Sequence, residues 1–187
     1  NDDYETVKTV EGAAADGTGG ITVTERKDYN AAVFFSDTGE RMETYRKIRL
    51  VPFTESFPYR ETFPRIYRFL LDFDVYLWEP GTERVVFRHP EIPFSTPICF
   101  EDSFPGEVRK FVDAGAWAII NISNDFWSLT EAEAEQHLSN ALFRAVENRC
   151  PLLRASASGV TCHVDSAGRI LERLPCYTEG YVLCTVP

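Results

Sequence analysis

Phe94-Ser-Thr-Pro-Ile-Cys99-Phe-Glu101-Asp-Ser-Phe-Pro105-Gly-Glu-Val-Arg-Lys-Phe-Val-Asp-Ala-Gly115 reads as a short strand that delivers a cysteine to a sharp turn, followed by a helix. Asp102 and Ser103 are good N-cap residues, Pro105 suits a first turn, and Glu107 lies where the helix dipole favours a negative charge. Phe104, Val108, Phe111 and Val112 fall at i, i+4, i+7 and i+8, one apolar face of a helix that Gly115 can end. Cys99 is thereby placed at the end of a strand running from Phe94 to Phe100 and just before a helix N-terminus. That position lowers a thiol's pKa and makes it a better nucleophile. A lone cysteine there is equally a small apolar residue closing a core strand, so other residues must decide.

Downstream, Ala116-Trp-Ala-Ile-Ile-Asn-Ile122 is an apolar run of strand length, as expected of a strand covered on both faces, and it ends in Ser123-Asn124-Asp125-Phe126-Trp127. Thr130 with Glu133 has the spacing of a capping box, and Leu138, Ala141, Leu142, Ala145 and Val146 make an apolar stripe, so a helix is predicted over 131–149 with Pro151 stopping it. Leu152 to Ser156, Val160 to Val164, Arg169 to Leu174 and Tyr181 to Val186 read as short strands, the middle pair joined by Asp165-Ser-Ala-Gly168.

Upstream, Asn30 to Ser36 and Arg41 to Lys47 flank a Gly-containing connection typical of a β-hairpin. Leu50 to Pro58 is expected to be an ordered loop, Phe63 to Leu71 a short helix and Arg84 to Arg88 a strand. Residues 1–28 are polar, acidic and Gly-rich, a composition read as a flexible segment, which leaves 29–187 as the folded domain. Helices interleaved with strands define an α/β layered sandwich.

The 187 residues suffice for one domain with a real core. With 19 Lys and Arg against 29 Asp and Glu, the net charge of -10 sets nucleic acid aside as a partner, because phosphate binding needs a basic patch. No apolar run approaches the roughly 20 residues that span a bilayer, so the chain itself reads as soluble. Its five cysteines form no Cys-x-x-Cys pair, and no metal site or cofactor is indicated.

An attacking thiolate needs a proton acceptor and a cation or donors for the oxyanion that forms. Lys47 at a strand end, Glu55 in the Pro-bounded loop and Glu101 two residues beyond Cys99 are the candidates. His89, His137 and His163 could each partner a cysteine, but no context singles one out.

Four ordered blocks carry a resemblance. Tyr45-Arg-Lys47-Ile-Arg-Leu50-Val-Pro-Phe-Thr-Glu55, then Pro97-Ile-Cys99-Phe100-Glu101 with Phe104-Pro105 and Val108-Arg109, then Asn121-Ile-Ser-Asn124-Asp125-Phe-Trp127, and Gln136-His137 with Arg144-Ala-Val-Glu147-Asn148 together resemble the nitrilase, or carbon-nitrogen hydrolase, superfamily. Within it, the Leu-Val-Pro-Phe and Asn-Asp-x-Trp stretches are similar to those of bacterial apolipoprotein N-acyltransferases. The resemblance implies a nitrilase-like α-β-β-α sandwich. It also implies transfer of a fatty acyl chain from a phospholipid to the N-terminal cysteine amine of a lipoprotein, at the periplasmic face of the inner membrane, with membrane attachment through a part of the protein outside this chain. Cys99 would carry the acyl thioester, Lys47 stabilise the oxyanion and Glu55 be the second acidic residue. Glu101, Phe100, Asn124 and Trp127 would support them. A soluble amidase of the same superfamily and a catalytically inactive relative are the alternatives. The family's general-base glutamate precedes the first block, ahead of where this sequence begins. The expectation is therefore a partial domain that, in isolation, transfers acyl groups slowly or not at all. Arg49, Thr54 and Phe100 replace the family's His, Gly and Tyr.

Overall fold

In the computed structural model, residues 2–11, 21–72 and 77–186 are described. The chain packs as two compact units, Asn1–Ala31 with Arg46–Thr82, and Ala32–Tyr45 with Glu83–Pro187.

Strands β1 (Asp2–Glu11), β2 (Ile21–Phe35) and β3 (Arg41–Arg46) form one sheet in that order. β1 and β2 are antiparallel, with Asp2 opposite Asn30 and Glu11 opposite Ile21. This corrects the expectation of a flexible segment over residues 1–28. Polar composition denies that stretch a core of its own, but the Thr- and Val-rich segments either side of residues 12–20 satisfy their backbone groups by pairing with each other. Residues 12–20 themselves lie outside the described residues. The β2–β3 hairpin forms where expected, with Gly39 at φ 80° and its N–H donating to Ser36 O.

Leu50 to Pro58 is an ordered loop, and α1 (Pro64–Asp72) follows it. In the second unit, β4 (Val86–Phe87), β5 (Phe94–Ser95), β6 (Ala118–Asn124), β7 (Leu152–Ala157), β8 (Thr161–Val164) and β9 (Ile170–Leu174) make a six-stranded sheet in chain order. β5, β6 and β7 are parallel, and α2 (Pro105–Asp113) and α3 (Glu131–Asn148) are the crossovers between them. Because the order advances in one direction, right-handed crossovers put both helices on the same face. The core there joins Val108 of α2 and Leu138, Ala141 and Ala145 of α3 to Ile119, Leu152, Cys162 and Val164 of the sheet and to Val160 just before β8.

Thr130 caps α3 by accepting from Glu133 N–H, and Arg149 closes it in the left-handed conformation. Its buried stripe is Ala134, His137, Leu138, Ala141, Arg144 and Ala145, rotated from the expected one so that two charged residues face inward and Val146 is exposed. Tyr181–Val186, expected as a strand, forms none. Its residues alternate exposed and half-buried in extended chain, so the period-two pattern is real but has no hydrogen-bonding partner strand.

Leu138 is 2% exposed and lies in the middle of this core. Leu138→Ala is expected to destabilise the protein by about 2–5 kcal/mol in denaturant unfolding, with an unchanged m-value.

Candidate active site

The peptide that delivers Cys99 differs from the expected strand. β5 ends at Ser95, a single bridge joins Ile98 to Ile122, and Cys99 opens a one-turn 3-10 helix, Cys99–Ser103. The α-helix begins only at Pro105 with Phe104 as its cap, so neither Asp102 nor Ser103 caps it. Asp102 is instead fully buried and bonded elsewhere, which is why it serves no helix end. Cys99 sits at φ 52°, a left-handed conformation that costs a non-glycine residue on the order of 1–2 kcal/mol and persists only where its surroundings enforce it.

Two buried side chains enforce it. Glu101 accepts from Ile98 N–H at 2.8 Å and from the Tyr45 hydroxyl at 2.8 and 3.0 Å, while Glu101 N–H donates to Ile98 O. This carboxylate braces the turn. Tyr45 is held in turn by its ring against Phe111 of α2, edge to face at 5.3 Å. From β6, the Asn121 amide donates to Pro97 O at 3.1 Å and to Cys99 O at 2.9 Å. Phe100 packs edge-on against Phe104 at 4.9 Å.

Behind the turn lies a closed set of charges that the sequence reading left unassembled. His137 is 3.0 Å from Asp125 through Nδ1 and 3.0 Å from Asp102 through Nε2. Arg154 donates to Asp102 at 2.6 Å, to Asp125 at 3.2 Å and to the Asn121 carbonyl oxygen at 3.1 Å. Arg144 binds Asp102 O and pairs with Glu147. Ser123 and Ser156 add hydroxyl donors to Asp125. Gly159 is required beside it, since a Cβ there would collide with the Asp125 carboxylate. Burial works against charging His137, but hydrogen bonds to Asp102 and Asp125 outweigh it and hold the imidazole pKa up at about 10. Burial likewise opposes ionisation of Asp125, yet the bonds from His137 and Ser123 and the Arg154 charge pull its pKa well below the carboxylate range. The Arg154 guanidinium also lies 2.8 Å from His137 Nδ1, and its charge works against the raised imidazole pKa. The signal for Arg154 in the sequence was a lone charge inside an apolar strand, Leu152-Leu-Arg-Ala155.

Lys47 and Glu55 come together in the first unit. Lys47 follows β3, its N–H bonding Asn30 O and its carbonyl accepting from Gly81 N–H. Its ammonium is fully buried and meets both Glu55 oxygens at 2.9 and 2.8 Å. Glu55 also accepts from Asn30 Nδ2 at 3.0 Å and Val51 N–H at 2.8 Å. Loop 51–56 folds back on Val51 O to put it there. Asn124 is exposed, its Oδ1 accepting from Phe126 N–H, and Trp127 is 67% exposed on the short 3-10 helix after β6. Among the described residues no cluster of His, Cys, Asp and Glu is arranged to hold a metal ion, and no helix is long and apolar enough to cross a membrane.

The parallel α/β sheet carries Cys99 on a left-handed turn beyond β5, and the chain belongs to the carbon-nitrogen hydrolase family, whose model matches residues 13–187. More particularly, it is similar to apolipoprotein N-acyltransferase 1 of Treponema denticola, 45% identical over 166 residues that cover 87% of this chain and 30% of the relative. It is also similar to the apolipoprotein N-acyltransferase of Thermotoga maritima, 38% identical over 79% of this chain and 29% of the relative. The chain thus spans about 30% of the length of these curated relatives. Among solved structures, Nit3 of Saccharomyces cerevisiae, a nitrilase-superfamily member, matches with a TM-score of 0.59 at 21% identity, over 82% of this chain and 51% of that one. A carbon-nitrogen hydrolase from Helicobacter pylori matches with a TM-score of 0.60 at 17% identity, over 80% and 53%. The fold is that of the nitrilase superfamily.

Two outcomes follow from the charges. A raised His137 pKa stabilises the fold fully below the unfolded value of 6.5 and loses that contribution as pH rises toward about 10. A lowered Asp125 pKa contributes fully above 3.8 and is lost as pH falls below it. Melting temperature should therefore decline from pH 6.5 toward 10, and His137→Gln should flatten that alkaline limb. A variant with the same alkaline slope as the parent would refute the assignment. Of the five free thiols, burial pushes Cys150 and Cys162 up to about 11 and also raises Cys176 and Cys184. Limiting iodoacetamide with peptide mapping should find half-buried Cys99 modified first.

Proposed function

We propose that this chain is the reactive part of an N-acyltransferase that takes a fatty acyl group from a phospholipid onto Cys99 as a thioester and passes it to the amine of a lipoprotein's N-terminal cysteine. The observation that carries the reading is the 45% identity to a relative bearing that name, over 87% of the chain including all four blocks around Lys47, Cys99, Asn124 and His137. The reaction is ping-pong, since one nucleophile serves first a donor and then an acceptor. The Cys99 thiol gives up its proton and attacks the ester carbonyl, the ester C–O bond breaks and the lysophospholipid leaves carrying that proton. The amine then attacks the thioester, the C–S bond breaks as the amide forms, and the proton lost by the amine returns to the Cys99 sulfur. In this reading Lys47 stabilises the oxyanion and Glu55 is the second acidic residue. An ammonium has three donors, of which Glu55 takes two, so one remains to meet the oxyanion. Phe100, Asn124 and Trp127 flank the reacting groups. A membrane-facing, periplasmic setting belongs to the same reading.

Glu55 is held by Lys47, Asn30 and Val51 N–H, and Glu101 by Tyr45 and Ile98 N–H, so both carboxylates are engaged as acceptors.

The test uses the protein encoded by its complete gene, a phosphatidylethanolamine donor, a peptide with an N-terminal cysteine and intact-mass spectrometry of both products. An acyl increment that is labile to hydroxylamine should map to Cys99, disappear in Cys99→Ala and form about 10²- to 10³-fold more slowly in Lys47→Met. Acyl transfer surviving in Cys99→Ala, or release of free fatty acid with the peptide unmodified, would sink the reading.

A further inference from the structure

The charges behind the nucleophile's turn have no part in the acyl chemistry just described, yet one residue couples them to it. Asn121 is fully buried, and its amide faces two ways: Nδ2 donates to Pro97 O and Cys99 O, while Oδ1 accepts from Arg154. A carboxamide is nearly symmetric in shape, and turned by half a revolution it would present its oxygen to both carbonyls and lose them. A guanidinium has donors and no acceptor, so Arg154 is compatible only with the orientation that grips the Cys99 peptide. Arg154 is itself fixed by two carboxylates on different elements, Asp102 at the end of the nucleophile turn and Asp125 after β6. His137 spans the same two carboxylates from α3. Such a buried charge set is weak evidence for stability, because well-packed apolar residues serve as well, whereas it is suited to holding one geometry.

We propose that Arg154 is a positioning residue for the nucleophile, selecting through Asn121 the amide orientation that keeps Cys99 in its left-handed turn. The role rests on Cys99 being the acylated residue. Arg154→Lys keeps the charge, but a compact ammonium cannot reach Asp102, Asp125 and Asn121 together. Asn121→Asp keeps an acceptor for Arg154 and turns a carboxylate oxygen toward the two carbonyls.

Thioester formation would be followed by stopped-time mass spectrometry in the protein from its complete gene, with phosphatidylethanolamine in detergent micelles as donor, beside melting curves and the alkylation rate of Cys99. Both variants are expected to fold, to lose at least about ten-fold in kcat with KM for the donor within about two-fold, and to alkylate more slowly at Cys99. The double variant should lose no more than the worse single one, since both changes cut the same link. A folded Arg154→Lys or Asn121→Asp at full rate, or a loss confined to KM, would overturn the proposal. If only Arg154→Lys fails to fold, Asn121→Asp decides by the same criteria. Failure of both to fold would assign the charges to folding alone and also overturn it. Cys99→Ala separates the two readings: acylation persisting there removes the nucleophile assignment itself, while its loss alongside a fully active Arg154→Lys removes only the positioning role.

Discussion

Asp102, Asp125, His137 and Arg154 are each at most 6% exposed, and they sit on the same sheet face as the apolar core. No one of them is tolerable there alone, since a single uncompensated buried charge costs about 3–5 kcal/mol when its partner is removed. Together they engage nearly every hydrogen-bonding group among them, leaving Arg154 Nε without a partner. The set also ties four pieces of chain that are remote in sequence: the turn after β5, the end of β6, the second turn of α3 and the centre of β7. Sheet register, helix rotation and turn geometry must all be right at once for it to close. The rotation of α3 that buries His137 and Arg144 and exposes Val146 is a direct consequence.

The same economy governs two further carboxylates, Glu101 and Glu55. Glu101 and Glu55 look like proton acceptors when only residue types are considered, yet each is consumed by local structure. Glu101 joins Ile98 N–H to the Tyr45 hydroxyl and so closes the turn that lifts Cys99. Glu55 receives the amide of its own loop, an asparagine from β2 and the buried ammonium of Lys47. The Glu55 carboxylate thereby fixes where the Lys47 ammonium points.

Cys99 is therefore held by a left-handed backbone and buried hydrogen bonds, and the α2 helix starts only six residues later at Pro105. Cys99 stands in the left-handed region four residues beyond β5, and the amide of Asn121 and the brace of Glu101 supply what keeps it there.

Residue order by itself determined much of this. The apolar run of β6, the capped α3, the Gly39 turn and the α/β class were legible because each is set by local periodicity or by a residue needed for its conformation. The four blocks around Lys47, Cys99, Asp125 and His137 sufficed to indicate the family. Tertiary structure alone decided the rest. Strand β1 exists only by pairing with β2, which composition cannot register, and Tyr181–Val186 has a strand's alternation without a strand's partner. Asp102 has the type and place of a helix cap, but its carboxylate is drawn into the interior by Arg154 and His137 from 52 and 35 residues away. Pairing between buried charges depends on distance through space, and no spacing along the chain encodes it.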